Sequence, residues 1–160
     1  MQHGDRAIEL DYLYNASDRL YSQFARSCGL SSCAYWMLYE IELAGGECTL
    51  RSIGVAWSYS KQTINSALKS LEGRELIELE FEEGSRKNKV ARLTDAGREF
   101  VRVNVAPAID AEERAFATLT REERSTLLGL ARKYTEALDA EFSRMDEWRG
   151  GAAGSGKGDA

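Results

Sequence analysis

Between residues 58 and 71 the chain carries Ser58, Ser60, Lys61, Gln62, Thr63, Asn65, Ser66 and Lys69 and no acidic residue. Side chains of these types recognise duplex nucleic acid. Gln and Asn pair with adenine edges, hydroxyls bond phosphates or bases, and lysines attract the backbone. A second acid-free stretch, 84–94, holds Arg86, Lys87, Lys89 and Arg92, while six Glu crowd between 72 and 83. Bond-making chemistry has no comparable support, since no nucleophile-base pair or phosphate-cradling glycine loop occurs. Three cysteines at 28, 33 and 48, without a CxxC pair, and the single His3 cannot assemble a four-ligand zinc site. Neither an enzyme nor a metal or cofactor is expected.

The net charge of −5 argues against a polyanionic partner, but the charge is unevenly spread. Residues 1–50 hold 3 basic and 7 acidic groups, 51–103 hold 10 and 8, and 104–160 hold 8 and 11, so the middle third alone is positive. Local charge sets what a small surface attracts.

The elements that must position these groups are legible from periodicity. Over 8–26, Leu13, Ala16, Leu20 and Phe24 recur at helical spacing, and Cys28-Gly29 ends the helix. A helix capped within Leu30-Ser31-Ser32 and running to Leu43 is apolar on most sides, which predicts a buried central element ended by Gly45-Gly46. Thr49 can cap a short helix with Leu50, Ile53 and Ala56, and Ser60 a second one running to about Glu72. Two short helices joined by a tight turn make a helix-turn-helix. In the second, Ile64, Ala67, Leu68 and Leu71 share one face, which leaves Lys61, Gln62, Asn65, Ser66 and Lys69 on or near the other.

Ile77, Leu79 and Phe81 then alternate with Glu78, Glu80 and Glu82, and Val90-Ala91-Arg92-Leu93 returns after EGSRKNK, predicting a hairpin with a basic tip. The Glu-rich strand face reads as an edge guarded against aggregation. Thr94 caps a helix through Val105 that Pro107 should kink near Val103. A Thr120-Arg-Glu-Glu123 capping box opens a last helix, roughly 40 Å long, whose apolar seam needs a partner. The class is mainly α with a small β-hairpin, a winged helix-turn-helix core in which one helix enters the major groove and the wing meets an adjacent minor groove. Taken alone, the same face and tip also read as a solvated helix surface and a solubilising turn.

The stretch 49–97, and particularly KQTINSALKSLE (61–72) followed by GSRKNKVARLTDAG (84–97), resembles the MarR family of bacterial transcriptional regulators. The resemblance implies a homodimer in which the first and last two helices of each chain interlock. It also implies a recognition helix over 60–72, a wing over 81–90, and double-stranded DNA with a pseudo-palindromic operator as partner. On that pattern residues 1–148 form one domain, with a core at about 30–94, dimerisation helices at about 6–28 and 94–148, and a Gly/Ala-rich disordered tail at 149–160. Two positions depart from the family. Ser85 and Lys87 stand where an Asp and an Arg often brace the wing, which leaves the minor-groove residue open between Arg86 and Lys87. Glu75 stands where a Gly commonly ends the recognition helix.

Related regulators often bind a small aromatic effector near the first helices, which makes Tyr12, Tyr35, Trp36 and Tyr39 candidate effector contacts, although core packing is the commoner role of such residues. Some members sense peroxide through a thiol. Cys28, two residues from Arg26, and Cys33, near a helix start, are candidates for that alternative, with buried inert thiols the commoner case. The function expected is a DNA-binding transcriptional regulator, a repressor tuned by the effector. The alternatives are a redox-sensing regulator of the same fold or a winged-helix module that binds protein. With no window approaching the roughly 18–20 apolar residues of a membrane span and no basic-then-apolar start in MQHGDRAIEL, the protein is expected in the cytoplasm.

Overall fold

A computed structural model describes residues 6–57, 59–82, 84–85 and 87–154, with backbone only at 54–57 and 146–154. Among the described residues the elements follow in the order α1 (Ala7–Ser27), α2 (Ser32–Leu43), β1 (Glu47–Thr49), α3 (Leu50–Trp57), α4 (Lys61–Gly73), β2 (Ile77–Phe81), β3 (Lys89–Leu93), α5 (Asp95–Asn104), α6 (Ala106–Phe116) and α7 (Arg121–Gly154). The chain divides into two compact units, Met1–Ala111 and Glu112–Ala160.

In the first unit the core is built around α2, which buries Cys33, Ala34, Tyr35, Trp36, Met37, Leu38 and Ile41 and touches α1, α3, α4, α5, β1 and β3. Side-chain caps start the helices where expected. Ser31 accepts from Ala34 N–H, Thr49 from Ser52 N–H at 3.2 Å, Ser60 from Thr63 N–H at 3.1 Å, and Thr94 from Gly97 N–H at 2.9 Å. Each satisfies one of the donors that a helix start leaves without a partner.

The sheet holds more than the expected hairpin. It has three antiparallel strands in the order β1-β3-β2, with Thr49 opposite Val90 and Glu47 opposite Arg92. Phe81 keeps its place in the period-2 pattern but not the burial that the pattern suggests. Ile77 is buried and Leu79 half-buried, but Phe81 is 60% exposed. The alternation places all three on one face, but the core does not reach the end of the strand.

The break caused by Pro107 lies two residues later than Val103. α5 ends at Asn104, Val105 still donates to Val101 O at 2.8 Å, and α6 begins at Ala106. Pro107 has no N–H to give Val103 O, so the ladder fails between these two residues rather than at either. In the second unit, Thr120 N–H donates to Glu123 Oε2 at 2.7 Å and Glu123 N–H donates to Thr120 Oγ1 at 3.2 Å, the reciprocal capping box that opens α7. That helix runs 34 residues, about 50 Å, and continues through Gly154. Its backbone thus extends past residue 149, where the sequence suggests a tail. Residues 155–160 lie outside the described residues.

Candidate nucleic-acid interface

The helix α4 buries Ala67, Leu68 and Leu71 and half-buries Ile64, and it packs on α2. The opposite face is left to solvent: Ser60, Lys61, Gln62, Thr63, Asn65, Ser66 and Lys69 are all exposed. Over the first three turns that face carries no carboxylate; its first acid is Glu72, one turn beyond Lys69. A hydroxyl pair, Ser60 Oγ and Thr63 Oγ1 at 2.8 Å, occupies the N-terminal end.

α4 leaves through a left-handed residue. Glu75 N–H donates to Glu72 O at 2.8 Å and Leu76 N–H to Leu71 O at 3.0 Å, with Glu75 at φ 56°. The position usually given to Gly is thus kept, with an L-residue strained into it. From the same turn Arg74 reaches back, donating to Gly29 O at 3.0 Å while its guanidinium lies 5.0 Å from the centre of the Phe100 ring.

The wing is braced without the family's Asp and Arg. Ser85 Oγ accepts from Lys87 N–H at 3.2 Å and Asn88 N–H at 2.9 Å, and Asn88 Nδ2 donates to Glu82 Oε2 at 3.0 Å. Glu82 N–H donates to Asn88 O, and Ser85 N–H to Glu82 O. Lys87 and Lys89 are exposed, and the Lys89 ammonium stands 5.5 Å from the Phe81 ring centre, which gives that exposed aromatic its partner. Ser58 and Arg86 lie outside the described residues.

Other cations nearby are engaged. Arg92 bridges the sheet, 2.9 Å from Glu47 on β1 and 3.8 Å from Glu80 on β2, while Arg98 pairs with Asp95 and Arg102 with Glu99. One Glu of the acidic strand face therefore has a definite partner inside the sheet.

The aromatic candidates separate into two places. Tyr35 and Trp36 are buried, and Tyr39, half-buried, has its ring 5.1 Å from Trp36. On α1 it is Tyr21 that packs against Trp36, ring centres 4.6 Å apart and tilted by 53°. Tyr12 lies nine residues earlier, about 13 Å along the helix axis, and is 65% exposed. Among the thiols, Cys33 is buried and its burial pushes its pKa up, the direction opposite to that of a reactive thiolate. Cys28 is half-buried with Sγ 3.8 Å from Asn104 O. Burial likewise raises Cys48, with the Ser52 hydroxyl acting against it.

Sequence reasoning did not identify Arg51. It lies exposed in the first turn of α3, and with Thr49 and Leu50 it walls a cleft whose other side is Glu82, Lys87, Asn88 and Lys89 of the wing. Among the described residues no His/Cys/Asp/Glu cluster could hold a metal ion, and no helix is long and apolar enough to cross a membrane.

A MarR family model matches residues 10–87. No curated protein matches the sequence. Among solved structures, the chain is similar to a MarR family regulator from Neisseria meningitidis, with 23% identity, 88% of this chain and 98% of that chain covered, and a TM-score of 0.75. It is also similar to the PcaV transcriptional regulator from Streptomyces coelicolor in complex with its natural ligand, with 19% identity, 86% and 99% covered, and a TM-score of 0.61. A third is Bordetella bronchiseptica BpsR, whose DNA binding is regulated by 6-hydroxynicotinic acid, with 20% identity, 79% and 98% covered, and a TM-score of 0.58. At these identities the structural likeness is one of fold.

Proposed function

From the chain's membership of the MarR family, we propose that it is a sequence-specific DNA-binding transcriptional regulator, a repressor that binds a pseudo-palindromic operator as a homodimer. The observation that carries this reading is the solvent-facing side of α4, polar or basic throughout its first three turns and flanked by a cationic wing. α4 is the right size for a major groove, and Gln62 and Asn65 are the base-reading candidates. Lys61, Lys69, Lys87 and Lys89 supply phosphate attraction.

Dimerisation is supported by apolar surface that the described residues leave uncovered. α1 exposes Leu13 and Leu20 by 69% and 68%, and α7 exposes Leu130 and Phe142 by 60% and 57%. Surface of this kind marks interaction sites. A small aromatic effector is part of the proposal, with the Tyr35, Trp36 and Tyr39 cluster as the region it would reach. Ligand-bound relatives of the same fold favour this. The effector acts by preferring a dimer whose recognition helices are wrongly spaced, and it weakens binding by that preference and no more.

The test is titration against the DNA upstream of the protein's own gene, with a scrambled duplex as control, at several salt concentrations. Neutralising about four phosphates per protomer gives a slope of log affinity against log salt near −7. Specific binding adds a preference for the operator that survives at high salt. Equal affinity for both duplexes, or none for either, would remove the proposal.

A further inference from the structure

We propose that the cleft between the first turn of α3 and the wing clamps one backbone phosphate of the DNA, with Arg51 gripping it from the helix side and Lys87 and Lys89 from the wing. This rests on the DNA-binding reading and adds to it a contact on a different element from the recognition helix.

The sheet creates the cleft. Because β1 pairs with β3 so that Thr49 lies opposite Val90, the chain enters α3 directly beside Lys89, and Arg51 is two residues beyond Thr49. Among the described residues, the wall of the resulting hollow, about 540 Å³, holds three cations and one carboxylate, Glu82. That carboxylate already accepts from Asn88 Nδ2 as part of the wing's brace. Lys89 is held against the Phe81 ring, which fixes the ammonium at the wing without neutralising it.

Arg51 differs from the other arginines of its region. Arg92, Arg98 and Arg102 each have a carboxylate partner, and Arg74 is committed to Gly29 O and Phe100. Among the described residues Arg51 has none, so its planar fork of donors is available for the bidentate geometry a phosphate offers. Cations converging on one hollow from two elements attract an anion into it. A phosphodiester fits because the same wing and the neighbouring α4 present the remaining phosphate-binding groups.

The experiment compares wild type, Arg51→Gln, Arg51→Lys and, as a net-charge control, Arg102→Gln, each titrated with operator and scrambled duplex across a salt series. Arg51→Gln is expected to weaken both duplexes by the same factor and to make the dimer's salt slope measurably shallower, by up to about two if the phosphate of each protomer is lost altogether. Arg51→Lys restores most of the slope, and Arg102→Gln leaves it at the wild-type value. Scanning the operator with neutral methylphosphonates then finds one position per half-site that weakens wild type more than it weakens Arg51→Gln. An unchanged slope in Arg51→Gln, with wild type still binding steeply, overturns the clamp and leaves the DNA reading intact. Absence of salt-dependent binding in wild type removes both.

Discussion

Replacing Glu75 by Gly should make the protein more stable. Three helices of the first unit end with the same pair of hydrogen bonds. In α1, Gly29 N–H donates to Arg26 O and Leu30 N–H to Ala25 O; in α2, Gly45 N–H donates to Glu42 O and Gly46 N–H to Ile41 O; in α4 the corresponding donors are Glu75 and Leu76. Gly29 and Gly45 take their positive φ freely, whereas Glu75 is held at 56° by the bonds around it. An L-residue in this region costs about 1–2 kcal/mol. Gly recovers that in the folded state and gives back about 0.5–1 kcal/mol through the greater freedom of the unfolded chain. The net gain is therefore about 0.5–1 kcal/mol, a rise in Tm of roughly 1–4 °C for a chain of this size. The side chain is exposed, and its carbonyl, which accepts from Thr94 Oγ1, is kept. Thermal unfolding followed by calorimetry reads the gain directly. Glu75→Gln separates the two explanations, since it removes the charge from an acidic stretch but keeps the strain. A gain in Gln equal to that in Gly, or no gain in Gly, refutes the backbone argument.

Gly97→Ala should act in the opposite direction, because a Cβ there would sit 1.9 Å from Leu76 O, a backbone atom that cannot swing aside. The start of α5 must move, breaking the Thr94 cap, at a cost of about 3 kcal/mol or more; a urea midpoint shift equivalent to under about 1 kcal/mol would show that the contact is not tight. Cys33 is only 3% exposed and its thiol is pushed up by burial, so iodoacetamide at pH 8 should label it no faster than the fold opens. Rapid labelling in the native protein, read by mass spectrometry, would contradict that placement.

Much of the fold is local and therefore readable. Ser31, Thr49, Ser60, Thr94 and Thr120 each stand one residue before a helix and cap it, and the apolar spacing of α4 separates its buried face from its exposed one. What escaped depends on pairing distant in sequence. β1 is three residues, too short for an alternating pattern, and becomes a strand because β3 offers it a ladder. Without β1 nothing placed Arg51 beside the wing, so that residue was invisible among ordinary helix-surface arginines. Glu75 showed the converse case, in which hydrogen bonds of the helix exit overrule a residue's own backbone preference. The wing has Ser85 and Lys87 where the family often has an Asp and an Arg, and Ser85 and Asn88 tie its described residues together by other bonds, which no family pattern foretells.

Arg74 ties the exit of α4 to two helices at once, through the Gly29 carbonyl at the end of α1 and the ring of Phe100 on α5. A single side chain thereby couples the tilt of α4 to the spacing of two other helices. Shortening that strap would let the angle of α4 drift without touching any group on its exposed face, so under the proposed function the accuracy of base reading would depend in part on a residue that reads nothing.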